Sequence, residues 1–407
     1  MKIATLLTAA LASAALAAAT TTADETALKD QLPDIFAKSA AHYKALDAAA
    51  TPLMANGKSG MKQVPHGFNL AARKLDMRNI NWWTTGHYPG SLWYLYEATG
   101  DSFFKDRATV WTELLEPNKT DSSHHDTGFM MYCSFGNARR LLKTDKYDPI
   151  LVCTAQSLSK RFNADLGLLR SWGSIGDKKN FLVIPDNMMN LEMLMWAGRN
   201  GYPHADEVAR AHATNTMKHH FRADGGTYHV LNYDQRPGFH GAVQEIRRGQ
   251  GLSCETAWSR GQAWAIYGYS MMYREAKDPA YLAFAQKVTD FALNHPNMPA
   301  DGVPYWDFGA PGEERDSSAA AIMASGLLEL SQFVPGEKGK AYRAFAAKQL
   351  LSLASSAYFS EGDEIGHWLL KHGVGHKPDG SEVDTPLDYG DYYFLEALLR
   401  FKALVSD

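Results

Sequence analysis

The stretch Asn187-Met188-Met189-Asn190-Leu191-Glu192-Met193-Leu194-Met195-Trp196-Ala197-Gly198 decides how the rest of the chain is read. Its apolar residues fall on nearly every side of a 3.6-residue helix, and Glu192 is its only charge. A helix without a wet face belongs inside a protein. Five other segments share this character, poor in charge and rich in Met, Trp, Tyr, Ala and Gly: 90–98, 127–142, 261–275, 317–332 and 391–402. Alternating with them are six segments that mix apolar and charged positions at helical spacing and open near Pro, Gly or Asp: 25–46, 101–115, 147–162, 205–221, 279–294 and 338–356. Strand-like alternation is scarce and short. Six amphipathic helices alternating with six buried ones predict helical hairpins stacked in a closed ring, with the buried set lining the axis. The expected fold is all-α, an (α/α)6 barrel or six-hairpin toroid. No linker rich in Ser, Pro or Gly breaks the series, so residues 24–407 read as one domain.

Composition agrees. Of 407 residues 45% are hydrophobic and 21% charged, with 10 Trp, 19 Tyr and 18 Phe, which excludes a disordered chain. A net charge of −4 offers no basic field for a polyanion, so nucleic acid is not an expected partner. The three cysteines, Cys133, Cys153 and Cys254, allow at most one internal disulfide; Cys133 and Cys153 either pair or remain buried thiols. The N-terminus reads as a secretory signal over residues 1–19: Lys2, then an uncharged Ala- and Leu-rich run ending in Ala17-Ala18-Ala19, too weakly apolar for a membrane span. The expectation is a secreted protein, extracellular or periplasmic in a Gram-negative host. It would have no membrane partner after cleavage and be a monomer or weak oligomer. Asn118-Lys119-Thr120 is a glycosylation sequon if the host secretes through an endoplasmic reticulum.

Chemistry gathers at the leading ends of the buried segments. These carry Asn81-Trp82-Trp83-Thr84-Thr85-Gly86-His87-Tyr88-Pro89-Gly90, His124-His125-Asp126, Pro185-Asp186, Trp258-Ser259-Arg260, Arg315-Asp316 and Asp388-Tyr389-Gly390-Asp391. If the inner helices run parallel, all six clusters meet at one mouth of the ring. An Asp before a helix is often only an N-cap, and Asp316, followed by two serines, reads that way. Asp126, preceded by two histidines, and Asp186, preceded by the apolar Leu182-Val183-Ile184, read instead as a working carboxyl pair. Burial would raise the Asp186 pKa toward a general acid's range. Paired carboxyls across a pocket are the common glycosidase arrangement. Trp82, Trp83, Trp258 and Trp264 could stack on sugar faces or merely fill the core. The His-His pairs at 124–125 and 219–220 do not make a metal motif, and no phosphate-binding loop, dinucleotide fingerprint or serine-hydrolase elbow occurs, so no metal or cofactor is expected. Two long connections, 171–185 and 229–258, are candidates for loops that shape a pocket.

Several motifs together resemble the unsaturated glucuronyl hydrolases, glycoside hydrolase family 88. They are Trp83-Thr84-Thr85-Gly86-His87-Tyr88-Pro89-Gly90, His125-Asp126-Thr127-Gly128-Phe129, Asp186 with Met189-Asn190-Leu191, Trp258-Ser259-Arg260-Gly261-Gln262-Ala263-Trp264 and Tyr389-Gly390-Asp391-Tyr392-Tyr393. The resemblance runs from about Asn81 to Arg400 and implies an (α/α)6 barrel. It also implies removal of a 4,5-unsaturated uronic acid from the non-reducing end of lyase-generated oligosaccharides, by hydration of the C4=C5 vinyl ether. By motif position it makes Asp186 the general acid and base and Asp126 its helper. It makes Trp83, Trp258 and Trp264 aromatic walls and His125, His229, Gln250 and Arg260 polar contacts to the uronate. Arg260-Gly261-Gln262-Ala263-Trp264 differs from the Arg-Gly-Asn-Gly-Trp of the related unsaturated rhamnogalacturonyl hydrolases, which favours the glucuronyl branch. A saturated-glycan hydrolase using the same two carboxyls and a non-catalytic sugar-binding ring are the alternatives.

Overall fold

The computed structural model describes residues 21–57, 60–236, 238 and 241–406. The segment 1–19, read as a signal, lies outside the described residues. Helices and connections alternate as the periodicity predicts. Helix α1 (Ala23–Ala50) is followed by α2 (His87–Thr99), and α3 (Ser102–Glu113) by α4 (Thr127–Met131), which passes through a π turn (Tyr132–Gly136) into α5 (Asn137–Leu142). After α6 (Asp148–Ser159) comes a 3-10 turn (Pro185–Asn190) continued by α7 (Leu191–Arg199). Then α8 (His204–His219) precedes α9 (Ser259–Ala276), α10 (Pro279–Leu293) precedes α11 (Ser317–Ser331), and α12 (Gly336–Ala354) precedes α13 (Asp388–Val405).

The buried segments touch in chain order and close on themselves. The π turn packs on α2, the 185–190 turn on α4 and α9, α11 on α9, α13 on α11, and α13 returns to α2. The amphipathic helices lie outside, with α1 against α12 joining the last outer helix to the first. Burial follows from composition. In α11 every residue from Ser317 to Leu330 is buried, whereas α8 buries only Ala205, Val208, Ala209, His212, Ala213 and Thr216, one stripe at i, i+3 and i+4 spacing. Glycine sets the tightest approaches: a methyl added at Gly268 would lie 2.5 Å from Met188 Cβ, and one at Gly326 2.9 Å from Tyr267 Cα. These two positions let α9 and α11 sit against their inner neighbours.

The fold is mostly helical rather than purely so. Four small antiparallel sheets occupy the connections among the described residues. They pair β1 (Gln63–Asn69) with β2 (Lys74–Asn79), β3 (Phe162–Asn163) with β4 (Leu168–Leu169), β5 (Leu182–Val183) with β6 (Val230–Tyr233) and β7 (Val243–Arg247), and β8 (Gly373–His376) with β9 (Ser381–Thr385). Strands of two to seven residues are too short to display a readable alternation. The β5–β6–β7 sheet unites the two long connections into one structure.

All three cysteines are free thiols, so Cys133 does not pair with Cys153. Asn118 is buried, and its side-chain amide donates to the Ile80 carbonyl at 2.7 Å, so the folded chain does not present the sequon. No helix among the described residues is long and apolar enough to cross a membrane.

Candidate active site

The leading ends of the buried segments do converge. Trp83 ahead of α2, His125 and Asp126 at the start of α4, Asp186 in the 3-10 turn, Arg260 in the first turn of α9 and Gln250 in the connection after β7 all line one cavity of about 270 Å³. Local geometry explains why the two carboxyls are available. Asp126 stands at the N-cap position of α4 without capping it, and no side chain caps the turn that carries Asp186. Asp316 behaves differently. Its Oδ1 accepts from the Ser318 and Ala319 amides, as expected of a cap, and from the Val374 amide, which anchors β8 to α11.

The two carboxyls have opposed electrostatics. Asp186 is 5% exposed, and burial pushes it up to about 7; the nearby Asp126 charge adds to the rise, while Arg260 and Trp264 oppose it. Its Oδ1 has no hydrogen-bond partner among the described residues and lies 3.9 Å from His229 Nδ1. Burial also acts to raise Asp126, but His125, His124 and Arg161 outweigh it and hold this carboxyl below its ordinary value. His125 Nε2 lies 3.2 Å from Asp126 Oδ1, and His124 Nδ1 3.3 Å from Oδ2. Burial lowers His125 to about 4, leaving it neutral at pH 7. Burial acts on His124 too, yet Asp121 and Asp126 on either side raise it to about 9. The cation beside Asp126 at neutral pH is therefore His124 rather than His125. The result is one carboxyl kept ionised and another poised near neutrality.

Three expected residues are placed less openly than the resemblance implies. Trp258 and Trp264 are 1% and 0% exposed and lie outside the cavity lining, with Trp264 beside the Asp186 carboxyl. Trp264 packs between Phe129 and Tyr393 at 5.1 and 5.3 Å, and Trp258 meets the His229 ring at 4.5 Å. The aromatic surface facing the cavity comes instead from Trp83, Trp82 and Trp172. His229 also lies behind the lining; its Nε2 contacts Gln250 Oε1 at 2.6 Å, so it supports Gln250 and Asp186 from the rear. Arg260, which the resemblance makes a contact to the uronate, is largely engaged within the protein. Its Nη atoms bond the carbonyls of Val374 and Gly375, Asp316 Oδ2 lies 3.5 Å from Nη1, and the group sits 4.1 Å from the Trp258 ring centroid and 5.1 Å from that of Tyr389. Of its nitrogens, Nε lacks a hydrogen-bond partner among the described residues.

Much of the rim was not legible beforehand. Arg78 on β2, Trp172, and Gly375, His376, Asp379, Ser381 and Glu382 of the β8–β9 hairpin complete the lining. Trp172 falls in a connection already singled out by its length; the hairpins carry no such signal. His66, Asp76 and Glu382 bring donor atoms within 4.8 Å of one another, the one grouping among the described residues with metal-ligand spacing. Its chemistry is that of an ion-pair network. Burial would lower His66, but Asp388 and Glu382, at 3.3 and 2.8 Å, raise it to about 10, and a protonated imidazole has no lone pair for a metal. Arg78 completes the network, 2.7 Å from Asp76 and 3.3 Å from Glu382.

No protein-family model matches the chain. It is 42% identical over 363 residues to an unsaturated glucuronyl hydrolase of Formosa agariphila, covering 86% of this chain and 88% of the relative. Among solved structures, an unsaturated glucuronyl hydrolase specific for heparin superposes with a TM-score of 0.82 at 40% identity, covering 92% of this chain and 98% of that one. A variant of the Streptococcus agalactiae unsaturated glucuronyl hydrolase, solved in complex with dGlcA-GalNAc6S, gives a TM-score of 0.75 at 26% identity over 92% of each chain.

Proposed function

Because the chain belongs to the unsaturated glucuronyl hydrolases, and is thus a glycoside hydrolase, we propose that it removes a 4,5-unsaturated uronic acid from the non-reducing end of lyase-generated oligosaccharides. In this reading Asp186 protonates C4 of the vinyl ether and then assists water onto C5. The hemiketal so formed opens, releasing the uronate as a keto acid and freeing the remaining sugar. The observation that carries the assignment is Asp186 itself, a buried carboxyl with an unpartnered oxygen in the cavity wall, held at about 7. Both of its protonation states are within reach at neutral pH, which a group acting first as acid and then as base requires. Asp126, kept ionised, adds the negative charge that helps Asp186 retain its proton.

The remaining assignments follow from position. Trp83 and Trp172 form the aromatic walls, His125 and Gln250 offer polar contacts, and Arg260 presents its Nε to the uronate while its other nitrogens brace β8. Trp258, Trp264 and His229 support these groups from behind. The closed ring of buried segments is read as the (α/α)6 barrel of glycoside hydrolase family 88, and residues 1–19 as a signal that directs secretion. Bound sugar in the Streptococcus agalactiae relative supports a glycosaminoglycan-type substrate.

The test is to incubate purified protein with sulfated and unsulfated unsaturated disaccharides and follow the ultraviolet band of the conjugated double bond. Loss of absorbance is expected, and Asp186→Asn should slow it by about 10²- to 10⁴-fold, the usual worth of general acid–base catalysis. Unchanged absorbance with every substrate, or full activity in the variant, would overturn the reading.

A further inference from the structure

Arg161, between α6 and β3, is 2% exposed, and Asp126 and Asp121 act on it only through space, without an ion pair among the described residues. A buried guanidinium remains charged and needs other compensation. It finds this in backbone carbonyls. Nε donates to Arg170 O at 2.8 Å, Nη1 to Ser122 O at 2.8 Å, and Nη2 to both Ser171 O at 3.1 Å and Gly173 O at 3.0 Å. The last two carbonyls flank Trp172, whose ring faces the cavity and meets His229 edge-on at 6.4 Å. Ser122 belongs to the turn that delivers His125 and Asp126 to the lining of the same cavity. These two segments are far apart in sequence, and one side chain ties both.

We propose that Arg161 is a positioning residue of the site: its forked guanidinium holds segment 170–173, and through it the Trp172 wall, in register with the turn that presents His125 and Asp126. Four carbonyls spread around a planar fork exceed the three donors of a lysine ammonium, whose charge sits at one point, so lysine cannot reproduce the whole set. The cation also contributes to keeping Asp126 ionised, a contribution that lysine would preserve. The functional part of this inference rests on the hydrolase reading above; the mechanical part does not.

The experiment compares full-length wild type, Arg161→Lys, Trp172→Ala and the double variant. Hydrogen exchange over 120–126 and 168–174 is measured beside KM, kcat and the pH profile with an unsaturated disaccharide. Expected for Arg161→Lys are faster exchange in both segments with α11 unchanged, a KM raised about tenfold or more with a smaller effect on kcat, and an unshifted pH profile; misplacement by an ångström can cost as much as 10²-fold. The double variant should be no worse than the more affected single, since both changes release the same wall. Strictly additive effects on KM, or unaltered exchange in 168–174, overturn the proposal. If Arg161→Lys fails to fold, Arg161→Gln, neutral and with two donors, provides the same exchange comparison. A wild type that turns over no unsaturated disaccharide would defeat the hydrolase reading, while the exchange measurement still decides whether Arg161 clamps the two segments.

Discussion

The two mouths of the ring are built from the same helices and differ in how they treat polar groups. At the trailing mouth a cavity of about 1090 Å³ is bordered by α2, α5, α7, α9 and α13, and it is much the larger of the two. Its buried and half-buried charges are paired. Arg274 meets Glu192 and Glu329 at 2.5 and 2.8 Å, Arg400 meets Glu329 at 2.8 Å, and Glu396 accepts from Tyr94, Ser325 and Tyr267 at 2.7, 2.6 and 3.1 Å. Among the described residues, no buried polar side-chain atom lining this cavity lacks a partner. At the smaller leading mouth, Asp186 Oδ1, His125 Nδ1 and Arg260 Nε all lack a hydrogen-bond partner among the described residues. Buried polar atoms are normally satisfied, so a cluster that is not marks a place shaped for something outside the chain. Volume and hydrogen-bond accounting point to different mouths, and the proposed site lies at the smaller one.

That contrast can be broken by mutation. The largest effect should come from the trailing mouth. Glu329→Leu removes the carboxylate shared by Arg274 and Arg400, leaving Arg274 with Glu192 and Glu275 and Arg400 with Glu396, so the cost typical of breaking a buried pair, about 3–5 kcal/mol, is an upper bound. Denaturant unfolding should show that loss, while kcat/KM per folded molecule stays close to wild type. A matching loss of activity would mean that the two mouths are not independent.

Asp186→Asn should move stability the other way. The Asp186 carboxyl has a folded pKa of about 7 against an ordinary value of about 3.9. A raised carboxyl penalises the folded state as pH climbs, because the unfolded chain ionises first. The penalty is absent below about pH 4, grows toward pH 7 and is then constant. Replacing the group should therefore raise stability at pH 7.5 by on the order of 2–4 kcal/mol, with the gain vanishing near pH 4. Asp391, also held at about 7 by burial, keeps its own penalty in both proteins and cancels in the difference. A variant less stable than wild type at pH 7.5 would show that Asp186 is a structural group.

Two smaller effects sharpen the leading mouth itself. Trp83→Ala removes a ring that lines the cavity and should raise KM about tenfold, near 1.4 kcal/mol of binding, with Tm changed by only a few degrees. An unchanged KM would place the sugar elsewhere. Activity of the wild type should fall as pH rises through about 7, where Asp186 loses its proton. In Asp126→Asn the neighbouring negative charge is gone, so the residual activity should lose its alkaline limb at lower pH than wild type does. A limb that stays in place or moves upward would separate the two carboxyls.

The helix order and the identity of both carboxyls could be read from the residues alone. Apolar periodicity reports burial one helix at a time, and a helix like 187–198, with one charge and no wet face, has few places to go. Asp126 and Asp186 stood out because their neighbours in sequence, two histidines and an apolar run, are also their neighbours in space. Nothing local distinguishes Trp83, which faces the cavity, from Trp264, which is sealed behind it; that depends on Phe129 and Tyr393 closing over the second. The rim was equally hidden, since it is assembled by contacts such as His66 to Glu382, 316 residues apart, and Thr385 to Phe68, 317 apart. The sequence by itself determined which segments are buried and which residues lead them, because these are properties of short spacings. Only the tertiary structure decided which side chains face the cavity and which polar atoms remain unpaired, because exposure and pairing depend on residues that distant parts of the chain bring near.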